Sequence, residues 1–176
     1  MVTEEEKQKH LKNLIAGSIM LFVITGMGGS FFDNRSEIAH FIFAISCFFS
    51  IIGFSLLASK LTNHKHDIPG AGFGVLTIAQ SMAFGFLATH DAGNEQFGAV
   101  TVIFIPGLIL ISFYNMMNFV LRILGFVSAA AFTLLAVLLL NGKEITAGNL
   151  LIILLAYIPM NIVLIGWAWY IYREKL

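Results

Sequence analysis

The sequence predicts an all-α fold: a polytopic integral membrane protein built as a bundle of six transmembrane helices, with both termini in the cytoplasm. Three observations lead to this prediction. Hydrophobic residues make up 58% of the 176 residues and charged residues 11%, whereas soluble domains contain about 45–50% apolar and about 25% charged residues. Charged residues divide the chain into six long uncharged runs. Lysine and arginine lie mostly on one side of the resulting topology.

The six uncharged runs contain between 20 and 28 residues each. About 20 apolar residues cross the hydrocarbon core of a bilayer as a helix, so each run holds one span and none holds two. In lipid the backbone must satisfy its own hydrogen bonds, and continuous rather than alternating apolar runs exclude a β-barrel. One transmembrane domain is therefore expected over residues 1–176. Its helices are expected near 13–32, 38–60, 70–89, 98–115, 119–141 and 149–172.

The first run is expected to remain in the protein as a helix and not to be a cleaved signal peptide. It is longer than the apolar segment of a typical signal peptide. It also follows Glu4, Glu5 and Glu6, where a signal peptide would carry basic residues.

The orientation follows from lysine and arginine, which concentrate on the cytoplasmic side of membrane helices. The side that holds both termini in a six-span topology carries eight of these residues: Lys7, Lys9, Lys12, Lys60, Lys65, Arg122, Arg173 and Lys175. The other side carries two, Arg35 and Lys143. Both termini are therefore placed inside. An aromatic anchor at the inner interface is predicted at the end of the last helix, from Trp167, Trp169, Tyr170 and Tyr172.

Several classes of function are excluded by composition and by the lack of motifs. The net charge is zero and the basic residues are scattered, whereas nucleic-acid binding needs a clustered basic face. Cys47 is the single cysteine, so no internal disulfide can form. The sequence contains no phosphate-binding loop, cysteine pair or metalloprotease helix motif. We therefore expect no catalytic, cofactor-binding or metal-binding residues, and no enzymatic activity.

Small residues recur at helical spacing in three of the predicted helices. The third helix carries Gly70, Gly74, Thr77, Ser81, Gly85 and Ala88. The second carries Ser46, Ser50 and Gly53, and the fifth carries Gly125, Ala129, Thr133 and Ala136. Such stripes let helix backbones approach closely in lipid. Helix–helix contact is the expected role, and a narrow pore lined by small residues is the alternative.

Candidates for a solute pathway are the polar residues and helix breaks within the spans. Gln80 lies near the middle of the third helix beside Thr77 and Ser81, and a buried amide needs hydrogen-bond partners. Asn161 follows Pro159 in the sixth helix, where a proline frees a backbone carbonyl. Pro106 interrupts the fourth helix in the same way. Each of these residues can instead serve helix packing, because neighbouring helices often satisfy such groups.

Two histidines are predicted near the outer ends of connected antiparallel helices. His40 lies at the start of the second helix and His90 at the end of the third. Because histidine titrates near physiological pH, the pair could form a pH-sensitive gate. A haem or metal site is a second interpretation, since it would need at least two ligands that face each other.

These features lead to one principal functional prediction and two alternatives. No acidic or basic residue lies deep within a span, which disfavours a proton or cation pump. We expect a channel or transporter for a small neutral or weakly charged solute, forming a homo-oligomer in the lipid bilayer of a bacterial inner membrane. The alternatives are a non-transporting accessory subunit of a larger membrane complex, and a membrane enzyme or redox subunit that uses the outer histidines.

Overall fold

The computed structural model describes residues 3–32, 36–89, 93–143 and 150–173. These residues form six helices, and the all-α prediction is confirmed. The helices are α1 (Glu4–Gly29), α2 (Glu37–Asn63), α3 (Asp67–Ala88), α4 (Asn94–Phe113), α5 (Phe119–Leu140) and α6 (Leu150–Tyr172). Each is long and apolar enough to cross a membrane. Large hydrophobic side chains are also exposed on all six helices.

Helix α1 begins well before residue 13, where the first span was expected to start. Thr3 and Glu6 form a reciprocal cap: the Glu6 amide donates to the Thr3 hydroxyl at 3.2 Å, and the Thr3 amide donates to the Glu6 carboxylate at 2.9 Å. This arrangement satisfies backbone donors that a helix start leaves free. The uncharged run therefore marks the apolar part of the helix, while the cap determines where the helix begins.

The six helices form a closed ring in which neighbours in sequence are neighbours in space. Each helix packs against the next one along the chain, and α6 packs back against α1. Consecutive helices run antiparallel, because short connections join them. We call the end of the ring where α1 begins and α6 ends the terminal end, and the opposite end the distal end.

Aromatic side chains fill the middle of the ring. On the terminal side, Phe54 lies between Phe22 and Phe73, with ring centroids 5.6 and 5.7 Å apart. Phe73 in turn meets Trp167 edge to face at 5.3 Å, so α3 and α6 touch across the ring. On the distal side, Phe104, Phe132 and Tyr157 form a second row, with centroid distances of 5.2 and 5.0 Å. These separations are typical of favourable aromatic pairs, and they make the interior a packed core.

The predicted role of small residues in helix packing is confirmed for α2. The Ser46 hydroxyl donates to the Phe22 carbonyl oxygen of α1 at 2.9 Å. A Cβ at Gly53 would lie 3.2 Å from the Ser18 Cβ and 3.1 Å from the Ile19 side chain. The small residues of α2 therefore allow close contact with α1.

For α3 the packing prediction is wrong beyond Gly70. Gly70 packs closely on α2, but a Cβ at Gly74 or Gly85 would meet nothing within 4 Å. The rest of this row of small residues lies on the outer side of α3, because another face of the helix is buried. That face consists of Pro69, Gly70, Gly72, Phe73, Leu76, Ala79, Gln80 and Leu87.

Candidate functional site

Gln80 lies on the buried face of α3, and 4% of it is exposed. Within the described part of the chain, its side-chain amide forms no hydrogen bond. An amide offers two donors and an acceptor, and leaving a buried polar group unpaired costs about 1–3 kcal/mol. Gln80 therefore places a polar side chain on the inner face of α3, although its amide is not among the fully enclosed atoms that lack a partner.

Trp167 and Ser112 supply enclosed polar atoms that were not predicted from the sequence. The Trp167 side chain is fully buried, and Nε1 has no hydrogen-bond partner among the described residues. The indole N–H can only donate. The assignment of Trp167 to an interfacial aromatic anchor is wrong, because helical spacing places it with Leu164, Ala168 and Ile171 on the buried face of α6. Its neighbour Trp169 is exposed and stacks on Tyr172.

Gln80 and Trp167 lie at different depths along the bundle. Gln80 follows Phe73 by two helical turns, a rise of about 10 Å towards the distal end. Phe73 contacts Trp167, and α6 runs opposite to α3. Met160 and Asn161, two turns back along α6, are therefore at about the depth of Gln80. The Trp167 N–H therefore lies in the terminal half of the interior, and the Gln80 amide lies near its middle.

The hydroxyls of Thr77 and Ser81 bind their own helix. Thr77 is half-buried and donates to the Phe73 carbonyl oxygen at 2.9 Å. Ser81 is exposed and donates to the Thr77 carbonyl oxygen at 2.9 Å. The structure thus places Ser81 on the outer surface, although it follows Gln80 in sequence, because consecutive residues of a helix point about 100° apart.

The prolines differ in where they lie. Pro159 is buried, and Asn161 is half-buried beside it. One turn before Pro159, the Ser128 hydroxyl of α5 donates to the Ala156 carbonyl oxygen, so a neighbouring helix supports the backbone near the break. Pro106 is exposed on α4. Of the two prolines, Pro159 is the one that faces the interior.

Only part of the histidine prediction can be compared with the structure. His40 is half-buried near the start of α2, whereas His90 lies outside the described residues. Among the residues that are described, no group of three His, Cys, Asp or Glu side chains is placed to hold a metal ion.

The connections at the terminal end are tied together by side chains. His66 Nδ1 lies 3.1 Å from the Tyr114 hydroxyl, which joins the α2–α3 connection to the end of α4. Arg122 donates from Nε to the Ser112 carbonyl oxygen at 3.0 Å and from Nη2 to the Phe113 carbonyl oxygen at 3.1 Å. Arg122 therefore caps the last turn of α4, where a cation also interacts well with the helix dipole.

Within the described residues, the aromatic and aliphatic interior thus contains two enclosed polar atoms without a partner, Ser112 Oγ and Trp167 Nε1, and also the buried side chain of Gln80. Comparisons with protein-family models, with curated proteins and with solved structures found no match to this chain.

Proposed function

We propose that this chain is a six-span membrane protein of the bacterial inner membrane, with both termini in the cytoplasm, and that it transports a small neutral or weakly charged solute. The observation that carries the proposal is the position of Gln80, a polar side chain on the buried face of α3 in the middle of the helix ring. A solute with a hydrogen-bond donor and acceptor would pair with this amide and offset its desolvation. The N–H of Trp167 would bind an acceptor on the same route.

The electrostatics of the interior support a solute without full charge. Among the described residues, Lys60 is the one charged residue that is buried, and it lies in the last turn of α2 rather than in mid-span. Proton- and ion-coupled transport usually depends on ionisable side chains within the membrane. A polar but uncharged interior favours hydrogen-bonded recognition of a neutral molecule.

The packing of the interior supports a transporter rather than an open channel. Phe54, Phe73, Phe132 and Trp167 are fully buried, and their contacts close the middle of the ring. A solute bound at Gln80 would be occluded by the Phe73–Trp167 pair on the terminal side. Transport in this proposal therefore requires helices to separate at that pair, as in carriers that alternate access around a central site.

Solute flux into proteoliposomes tests the proposal. Stopped-flow light scattering with a panel of small neutral and weak-acid solutes, at two external pH values, should show flux that depends on the protein. Gln80→Leu should lower that flux at least tenfold, while Gln96→Leu, near the start of α4, should preserve it. A pH effect would direct attention to His40 and His90.

Two outcomes would contradict the proposal. Absence of flux for every solute, from protein shown to be folded and inserted, would favour the accessory-subunit alternative, and mild detergent extraction should then recover a stable partner. Equal flux through Gln80→Leu and the unmodified protein would remove Gln80 from the pathway. The expected homo-oligomer is measured separately, as the mass of the purified protein in detergent.

A further inference from the structure

A groove of about 200 Å³ lies at the terminal end of the bundle, between the start of α5 and the end of α6. Its walls include Met116 and Asn118 from the α4–α5 connection, Leu121 from α5, and Gly166 and Arg173 from α6. Met116 and Leu121 are half-buried, whereas Asn118 and Arg173 are exposed. The groove therefore opens on the outer surface of the ring, and one of its walls carries a cation.

The lining changes from apolar to cationic along α6. Gly166 lies against two apolar side chains, because a Cβ there would be 2.7 Å from the Leu121 side chain and 3.0 Å from that of Met117. Arg173 follows Gly166 by seven residues, which is a rise of about 10 Å along the helix towards the terminal end. The groove is therefore amphipathic: its apolar part lies nearer the middle of the bundle, and its charge lies at the outermost end.

The guanidinium of Arg173 is held at the wall of this groove by an aromatic ring. Its central carbon lies 4.5 Å from the centroid of the Trp169 ring, which also lines the groove. A cation at this distance from a tryptophan face is attracted by the ring. A planar guanidinium matches the oxygens of a phosphate group, so Arg173 offers a positioned binding group for a phosphate.

No acidic side chain of the described residues lines the groove to neutralise Arg173. In that part of the chain, the ion pair joins Lys7 to Glu4 on the first turn of α1. Glu174 and Lys175, which follow Arg173 in the sequence, lie outside the described residues, and their formal charges cancel. The charge of the groove therefore favours an anionic occupant.

We propose that this groove binds an anionic phospholipid, with its phosphate on Arg173 and the start of an acyl chain against Leu121 and Gly166. A free phosphate would use the arginine but leave the apolar part of the groove empty. Trp169 and Tyr170 both line the groove, and tryptophan and tyrosine favour the headgroup region of a bilayer. Basic residues beside a membrane helix attract anionic lipid. The proposal rests on insertion in a membrane, which is part of the proposed function, but it does not depend on transport.

Native mass spectrometry of the detergent-purified protein tests the site with two probes, phosphatidylglycerol and phosphatidylcholine. We expect preferential retention of phosphatidylglycerol. Arg173→Gln should lower that preference about fivefold, because a basic residue near an anionic headgroup has an effect of this order, while Arg173→Lys should keep part of it. Lys9→Gln is the matched control, since it removes the same charge from an exposed position at the same end of the bundle but outside the groove. It should leave the preference unchanged.

Protection from a maleimide tests whether the lipid lies in the groove itself. Met116→Cys places a thiol in the groove wall, and the Cys47→Ala background contains no other cysteine. Added phosphatidylglycerol should slow the labelling of Met116→Cys more than phosphatidylcholine does. Lys65→Cys, exposed at the same end but outside the groove, should be labelled at the same rate with either lipid.

Four results would overturn the proposal. Equal retention of the two lipids by the unmodified protein would show that the groove does not select an anion. Equal losses in Arg173→Gln and Lys9→Gln would assign the preference to the general surface charge. Labelling of Met116→Cys that neither lipid slows would place the lipid elsewhere. Displacement of the bound lipid by glycerol phosphate, which offers the headgroup without chains, would make a free phosphate the ligand.

Discussion

Gly72 of α3 and Gly107 of α4 lie backbone against backbone. A Cβ at Gly72 would be 3.0 Å from the Gly107 carbonyl oxygen, and a Cβ at Gly107 would be 3.2 Å from the Gly72 carbonyl oxygen. The contact is therefore reciprocal, and only glycine at both positions leaves room for it. This crossing brings α3 and α4 together just beside Phe73, and so helps to hold the buried face of α3, including Gln80, towards the interior.

Substitution at this crossing should destabilise the bundle. Gly72→Ala should lower the free energy of unfolding by about 1–3 kcal/mol, because the added methyl must push apart two backbones and the Ile111 side chain. Gly74→Ala is the control, since its Cβ meets open space and alanine favours the helix. Thermal or denaturant unfolding in detergent measures both. Equal stability of the two variants would show that the crossing is looser than described.

Removing the Ser128 hydroxyl should weaken the contact of α5 with α6. Ser128→Ala deletes the hydrogen bond to the Ala156 carbonyl oxygen, and hydrogen bonds between membrane helices contribute about 0.6–1.7 kcal/mol. Ser81→Ala removes a hydroxyl that binds only its own helix, and should change stability by less. The same unfolding assay compares the two, and a larger loss at Ser81 would contradict the assignment.

Loss of the Arg122 cap should destabilise the end of α4. Arg122→Gln removes two charge-assisted hydrogen bonds to the Ser112 and Phe113 carbonyl oxygens, and we expect a loss of about 1–3 kcal/mol in the free energy of unfolding. Lys143→Gln, at an exposed position, tests for a general effect of charge removal. Unfolding in detergent is again the measurement. Similar small losses in the free energy of unfolding for both variants would show that Arg122 does not stabilise the end of α4.

The two tryptophans should report different environments. Trp167 is fully buried and Trp169 is exposed. The Trp169→Phe variant should therefore show blue-shifted fluorescence that acrylamide quenches poorly, whereas emission from Trp167→Phe should be quenched readily. Trp167→Phe keeps an aromatic ring against Phe73 but removes the unpaired N–H. It should therefore lower solute flux while changing the free energy of unfolding only slightly. Strong quenching in Trp169→Phe would place Trp167 at the surface.

Cysteine labelling tests the proposed orientation. Cys47 is buried, and Cys47→Ala provides a background without native thiols. In that background a membrane-impermeant maleimide should label Lys143→Cys in intact spheroplasts, because the distal end is proposed to face outward. Lys65→Cys, exposed at the terminal end, should be labelled only after permeabilisation. The reverse labelling pattern would show that the orientation in the membrane is opposite to the proposed one.

The number and approximate limits of the helices could be read from the sequence. The runs between Lys12 and Arg173 predicted six helices, and six are found in the described residues. This succeeds because hydrophobic length is a local property, independent of which helices become neighbours. The ends of the helices were harder to predict from the sequence, because the start of α1 depends on the cap formed by Thr3 and Glu6.

Which face of each helix turns inward was decided by tertiary packing. Sequence spacing singled out the stripe of Gly74 and Ser81 together with Gln80, yet α3 buries Gln80 beside Phe73 and leaves Ser81 exposed. Likewise, nothing in the local sequence separates buried Trp167 from exposed Trp169. In a soluble protein the polar face would mark the outside, but here large apolar side chains are exposed as well as buried, so the periodic signal is lost. Close backbone contacts such as Gly72 with Gly107, and interhelical hydrogen bonds such as Ser128 with Ala156, then determine which side chains meet inside the ring.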